Sequence, residues 1–240
     1  HKADARGCDV ALLSGELGYS TCAPASVNCT DAGAPGNLSE HGQAEYLARR
    51  SLVDTLAGVK LSVWYEWTTG LEYPGADPYI ECSLQGGSDP TQREEQFGVV
   101  SCARDANGAR PPRPAFKAAA TLQRVFRGCD FARRITAGSD TAVFVLQFDC
   151  EGGATALAAW TTEEKSRTVS MPLASNGTAA WIYTMTGEGT DGRRVGRKPG
   201  VAVTVSLSTS PVYVRSAPLR PARLLTDDGY NAAVRGPVLG

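Results

Sequence analysis

The sequence predicts a chain of mixed class, an α/β portion followed by an all-β portion. Three observations carry that expectation. The first 128 residues alternate short β-branched or apolar runs with two long segments of helical spacing. After Gly128 the texture changes to short strand-like runs separated by Gly, Asn and Ser. The cysteines and N-x-[ST] sequons lie mainly in the loops, as in a chain folded in an oxidising compartment.

Residues 9–14, DVALLS, form a compact apolar run bounded by turn formers, which predicts a short buried strand. A loop rich in Ala, Pro, Gly and Asn follows over 22–39. Residues 40–57 have helical spacing, with Tyr46, Leu47, Leu52, Val53 and Leu56 on one face and Gly58 as the terminator. VKLSVWYEWTT (59–69) is β-branched and aromatic and predicts a second strand. A long loop leads to FGVV, and 113–128 predict a second helix with Pro114 in its first turn. Strand, helix, strand, helix favours a parallel sheet with crossover helices.

TAVFVLQF, TALAAWTT, RTVSMPL, AAWIYTMTG and VAVTVSLSTSPVYVR then predict an antiparallel β-sandwich from about residue 130, with Trp160 and Trp181 in its core. GEGTDGRR (187–194) lies between strands and reads as a hairpin turn, because a phosphate-cradling loop must open a helix. TTEEKSR reads as a solvated loop. The expected organisation is 1–129 as strand–helix units, 130–218 as sandwich, and 219–240 as an extended Pro/Arg-rich tail.

Twenty-four Lys and Arg stand against 25 Asp and Glu, a net charge of −1, and no basic excess marks a nucleic-acid surface. No apolar run approaches the ~20 residues that span a bilayer. The chain opens HKADARGCDV, with neither an initiator Met nor a signal-peptide pattern, which predicts a mature product or a piece of something longer. Sequons at Asn28, Asn37 and Asn176, together with seven cysteines, predict a secreted or cell-surface glycoprotein. Proximity suggests the pairs Cys22–Cys29, Cys82–Cys102 and Cys129–Cys150, with Cys8 left over, although spacing alone does not fix connectivity.

Function turns on LLSGELGYST (12–21). Glu16 is expected just past the first strand's end, where functional groups of parallel sheets collect. Trp64, Tyr65, Glu66 and Trp67 are expected at the end of the neighbouring strand. A carboxylate beside aromatic rings suits a sugar site, since rings stack on pyranose faces and carboxylates act at the anomeric carbon. The plainer readings are a solvated Glu and core tryptophans. A copper site built on His1 would need a second His. His41 is the only one, at an expected helix start, and no zinc-like spacing occurs. Ser14 lacks the G-x-S-x-G elbow and a well-placed His. No cofactor and no metal are expected.

LLSGELGYST, GQAEYLARRSLVDTLAGVKLSVWYEWTTG, FGVV and RPAFKAAATL together resemble the last two strand–helix units of retaining (β/α)8 glycoside hydrolases, the clan of cellulases, β-xylosidases and β-mannanases. The resemblance runs from residue 8 to about 216. It implies the C-terminal portion of a TIM barrel followed by a β-sandwich. It also implies that Glu16 is the catalytic nucleophile, that Trp64 and Trp67 stack on sugar, and that Tyr19 and Tyr65 are hydrogen-bonding neighbours. Glu66, at the end of the adjacent strand, could sit about 5–5.5 Å from Glu16 as a replacement acid, but the resemblance gives that position no acid/base role, and orienting a neighbouring group is the commoner function. Leu17 departs from the family, which usually has an aromatic residue there. The family's acid/base, the Glu of an Asn-Glu pair ending strand four, has no counterpart, and neither do strands one to six. Two units cannot close a barrel. The expected partners are therefore the N-terminal portion of the same precursor, as a separate chain or missing segment, and an oligo- or polysaccharide. The alternative is a non-catalytic, glycosidase-like structural glycoprotein of an extracellular assembly. A lectin-like module built on the sandwich alone is weaker still.

Overall fold

A computed structural model describes residues 11–21, 38–67, 97–101, 111–135, 140–173, 179–187, 192–196, 198 and 202–219. The expected disulfides Cys22–Cys29 and Cys82–Cys102, Cys8, the sequons at Asn28, Asn37 and Asn176, His1 and the tail beyond Leu219 lie outside them.

Strands β1 (Leu12–Leu17) and β2 (Val59–Trp64) pair in parallel, connected through helix α1 (Glu40–Leu56). Helix α2 (Pro114–Phe126) follows β2. The first strand thus begins later than the apolar run suggested and takes in Glu16. The second ends at Trp64 rather than at Thr69, because the next residues bond elsewhere. Val99 N–H donates to Glu66 O (3.2 Å) and Val100 N–H to Trp67 O (3.0 Å).

Ser39 caps α1, its hydroxyl accepting the Gly42 N–H at 3.0 Å. Gly58 and Gly128 follow the two helices with φ of 75° and 68°, a left-handed conformation that suits glycine. The buried face of α1 is Gln43, Ala44, Leu47, Ala48, Leu52 and Asp54. Val53, expected on that face, is exposed. The helix turns its small residues inward instead, so that Ala44 and Ala48 share one cluster with Ala115 and Ala118 of α2.

The second half holds two antiparallel sheets. The larger runs β3-β4-β5-β10-β7-β8 and the smaller pairs β6 with β9. The strands are β3 (Cys129–Ile135), β4 (Val143–Cys150), β5 (Ala154–Thr161), β6 (Arg167–Met171), β7 (Ala179–Thr184), β8 (Arg193–Gly196), β9 (Val203–Leu207) and β10 (Val212–Arg215). β3 and β8 carry paired arginines that hide them from a reading by hydrophobicity. VAVTVSLSTSPVYVR divides into β9 and β10, which join different sheets.

Strand alternation sorts the core into two layers. Val145, Leu157, Ala159 and Val214 face β6 and β9, meeting Met171, Val203, Val205 and Leu207. Leu146, Phe148, Ala156, Ala158, Trp160 and Tyr213 face the other way, toward Leu52 of α1 and Val125 of α2. The centre of the large sheet is therefore buried on both faces, and β5 is almost continuously apolar for that reason. Trp160 is core as predicted, and Trp181 is half-buried. Hydrogen bonds also tie α1 to the turn between β9 and β10. Glu45 Oε1 accepts from Ser210 Oγ (2.5 Å) and Thr209 Oγ1 (2.9 Å), and His41 Nε2 lies 2.9 Å from Ser210 Oγ.

Candidate active site at the ends of two parallel strands

The pairing of β1 with β2 is regular at Leu13–Leu61 and Ser14–Ser62, and then resumes at Leu17–Trp64. Three steps on β1 thus match two on β2, leaving the extra residue at Gly15–Glu16. An extra residue of this kind breaks the ladder and re-aims a side chain. Glu16 stands in that irregularity, inside the strand rather than past it, and is exposed. The irregularity closes where Tyr65 N–H donates to Leu17 O at 2.7 Å.

The two flanking glycines have different reasons. A Cβ on Gly18 would lie 2.2 Å from Tyr65 O and 2.8 Å from Phe97 Cδ1, so only glycine lets the two strand ends approach. A Cβ on Gly15 would meet nothing within 4 Å.

Polar groups from α1 hold the last regular rung. Asp54, buried, accepts from Arg50 Nε (2.8 Å) and Ser62 Oγ (2.6 Å), and Arg50 Nη2 reaches Ser14 Oγ at 3.4 Å. The hydrogen bond to Asp54 raises the Arg50 pKa, against a smaller opposing effect of burial, and the Tyr19 hydroxyl adds to the rise. Two further residues fix the chain beyond the strands. Fully buried Gln43 donates through Nε2 to Tyr19 O (2.8 Å) and Phe97 O (3.0 Å). Buried Arg113 donates to Gly98 O (2.8 Å), Thr21 Oγ1 (2.5 Å) and Glu40 Oε1 (3.0 Å). Burial pulls the Arg113 pKa down and Glu40 opposes that fall. Sequence reasoning missed Gln43, Arg50, Asp54 and Arg113. The one available signal, for Gln43 and Asp54, was a polar side chain on the inward face of an amphipathic helix.

The aromatic residues divide between two environments. Trp64 has the same parity as Ser62, so it takes the α1 side of the sheet. There the Tyr19 ring lies 5.7 Å from Trp64 and 4.7 Å from Tyr46. Tyr65 is half-buried, 5.5 Å from the Phe97 ring. Trp67 is 63% exposed and meets Phe116 edge-on at 5.6 Å. Glu66 is half-buried, its backbone carbonyl engaged by Val99. Glu16, Tyr65 and Trp67 thus belong to the strand ends, whereas Tyr19 and Trp64 pack toward the helix.

Among the described residues nothing covers the opposite face of this two-stranded sheet, where Leu13, Leu61 and Val63 are 63%, 55% and 45% exposed. Parallel sheets ordinarily have both faces buried. Among the described residues no group of three or more His, Cys, Asp or Glu is placed to hold a metal, and no helix is long and apolar enough to cross a membrane.

No protein-family model and no curated protein matches this sequence. Solved structures do match. A family 39 glycoside hydrolase from the gut symbiont Bacteroides cellulosilyticus WH2 aligns with a TM-score of 0.58 at 18% identity, over 88% of this chain and 34% of that one. A conserved exported protein from Bacteroides fragilis aligns with a TM-score of 0.50 at 14% identity, over 88% of this chain and 40% of that one. The chain therefore spans between a third and two fifths of the length of these relatives. In fold, it is similar to part of a glycoside hydrolase.

Proposed function

We propose that this chain is the C-terminal portion of a retaining glycoside hydrolase, in which β1 and β2 are the last two strands of a (β/α)8 barrel and Glu16 is the nucleophile. The observation that carries the reading is the position of Glu16, exposed at the irregular C-terminal end of a parallel strand beside an uncovered apolar sheet face. Glu16 attacks the anomeric carbon and forms a glycosyl ester. An acid/base on the remaining strand–helix units, about 5–5.5 Å away, protonates the leaving oxygen and then activates water. Those units come from the N-terminal portion of the same precursor and cover Leu13, Leu61 and Val63. Trp67 and Tyr65 line the sugar subsite. Tyr19 and Trp64 act from behind, holding the strand ends against α1. Glu66 orients a neighbour. The substrate is an extracellular or cell-wall polysaccharide, and the protein is secreted and carries glycans at Asn28, Asn37 and Asn176.

A second reading is a catalytically silent, glycosidase-like glycoprotein in an extracellular assembly. Leu17 in place of an aromatic residue favours it, as does Trp64 facing the helix rather than the open side.

The test uses the protein with whatever polypeptides co-purify with it. Intact mass with and without reductant reveals a disulfide-linked partner. A panel of 2-deoxy-2-fluoro-β-glycosides of glucose, xylose and mannose is then offered, followed by peptide mass spectrometry. The label is expected on Glu16, and Glu16→Gln should lower turnover by about 10⁴-fold, the scale of removing a residue that acts covalently. A label on another residue, or full activity in Glu16→Gln, rules out the nucleophile role. A protein that hydrolyses nothing and takes no label supports the silent reading.

A further inference from the structure

Strands β3 and β4 set Cys129 and Cys150 opposite one another, and the two are bonded. Arg215, at the end of β10, reaches this bond. The residue is 8% exposed, its Nη1 donates to Val125 O at the end of α2, and the same nitrogen lies 3.6 Å from Cys129 Sγ. Among the described residues its Nε has no hydrogen-bond partner and it forms no ion pair with a carboxylate. Capping a helix carbonyl explains one donor. It does not explain a buried cation turned toward sulfur with no anion beside it, an arrangement that is costly unless a negative charge appears there. A shallow, open depression lined by Gly128, Cys129, Asp130, Asp149, Cys150 and Glu151 lies over the bond, in which Cys129 is half-buried and Cys150 is 8% exposed. Its three carboxylates belong to exposed residues.

We propose that Cys129–Cys150 is a thiol-exchange site, opened by small cationic or neutral thiols in preference to anionic ones, with Cys129 as the leaving sulfur. The incoming thiolate attacks Cys150 Sγ. The S–S bond breaks and its electron pair goes to Cys129 Sγ, where the Arg215 guanidinium stabilises the thiolate; a better-stabilised leaving thiolate departs faster. A second thiolate attacks the reagent's sulfur in the mixed disulfide. This releases the oxidised reagent and a Cys150 thiolate, which takes a proton from water. Two thiols thus supply the two electrons. Asp130, Asp149 and Glu151 repel a reagent that carries extra negative charge, and salt weakens that repulsion. None of this rests on the glycosidase reading.

The experiment treats the full chain, with its companions, with 2-mercaptoethylamine, 2-mercaptoethanol or 2-mercaptoethanesulfonate. Reactions are stopped by N-ethylmaleimide, and the peptides carrying Cys129 and Cys150 are quantified by mass spectrometry. Rates corrected for thiolate fraction should fall from amine to alcohol to sulfonate, about tenfold end to end at low salt and under about twofold in 1 M salt. Maleimide should trap Cys129 while the reagent is still on Cys150. Arg215→Gln should slow all three reagents about tenfold, and Arg215→Lys should slow them less. The pair Asp149→Asn with Glu151→Gln should flatten the reagent order without slowing the alcohol. If Arg215→Gln fails to fold by circular dichroism, the reagent series and the acid variant carry the test. Equal rates for the three thiols at low salt, reagent accumulating on Cys129, unchanged rates in folded Arg215→Gln, or no opening at all would each overturn the proposal.

Discussion

Strands β2 and β5 are built from similar apolar side chains and meet opposite fates. In β5, Leu157 and Ala159 are sealed by β6 and β9, and Ala158 and Trp160 are sealed against α1 and α2. In β2, Ser62 bonds to Asp54 of α1 and Trp64 is half-buried on that side, but Leu61 and Val63 face open space. A fully covered strand finds all of its partners within the chain. A half-covered parallel strand leaves part of its apolar face without a partner among the described residues. The sandwich and the strand pair therefore differ in how much of their apolar surface the described residues cover, although α1 and α2 serve both.

Substitutions at matched positions should separate these roles. The largest effect is expected from Leu157→Ala, which removes a fully buried side chain and should cost about 2–5 kcal/mol in denaturant unfolding. Leu61→Ala, the same chemistry on the open face, should change the stability of this chain by less than about 0.5 kcal/mol, and, under the proposed function, should weaken association with the companion portion. Equal losses in the two variants would erase the distinction between the regions.

Arg113→Ala tests the strand–helix side of the comparison. It removes donors to Gly98 O, Thr21 and Glu40 and should cost about 2 kcal/mol. The loss should appear as faster amide exchange at Val99 and Val100 rather than within β4 or β5. Loss of protection spread evenly over the sandwich would mean that Arg113 serves the whole core.

The smallest effect has the opposite sign. The Tyr213 hydroxyl is buried on the helix side of the large sheet and has no hydrogen-bond partner among the described residues. Tyr213→Phe should stabilise by about 1 kcal/mol, since an unsatisfied buried polar group is removed. Burial also raises the phenol's pKa. A raised folded-state pKa means that the unfolded chain ionises first. The stabilising contribution is thus complete below the unfolded pKa of about 10 and falls above it, by up to about 1.4 kcal/mol per pH unit. Tyr213→Phe should flatten that alkaline decline. An unchanged slope would assign the decline to other groups.

Much of the fold was legible in the residues. The order of strands and helices before residue 130 followed from periodicity, and Gly58 marked the end of α1 through its backbone freedom. The Cys129–Cys150 pair was legible from proximity, because the bond crosses the hairpin of β3 and β4. The arginine-bearing strands β3 and β8 were not, since their neighbours rather than their own hydrophobicity keep them in the sheet. At the strand ends, Glu16 stood out as one carboxylate among glycines. The residues that brace its surroundings did not, because Gln43, Arg50, Asp54 and Arg113 resemble ordinary polar positions until their partners arrive from distant segments.

By itself, then, the sequence determined the local elements and their capping, which depend on contacts a few residues apart. It also determined the supply of apolar side chains for a core. The tertiary structure alone decided which face each strand shows. One extra residue between Ser14 and Leu17 offsets the opposite slip between Leu12 and Leu13, and no local pattern records either irregularity or which neighbour the strand will meet. The same holds for β9 and β10, which are neighbours in sequence yet lie in different sheets, and for Arg215, carried to Cys129 by pairings that close only when the large sheet is complete.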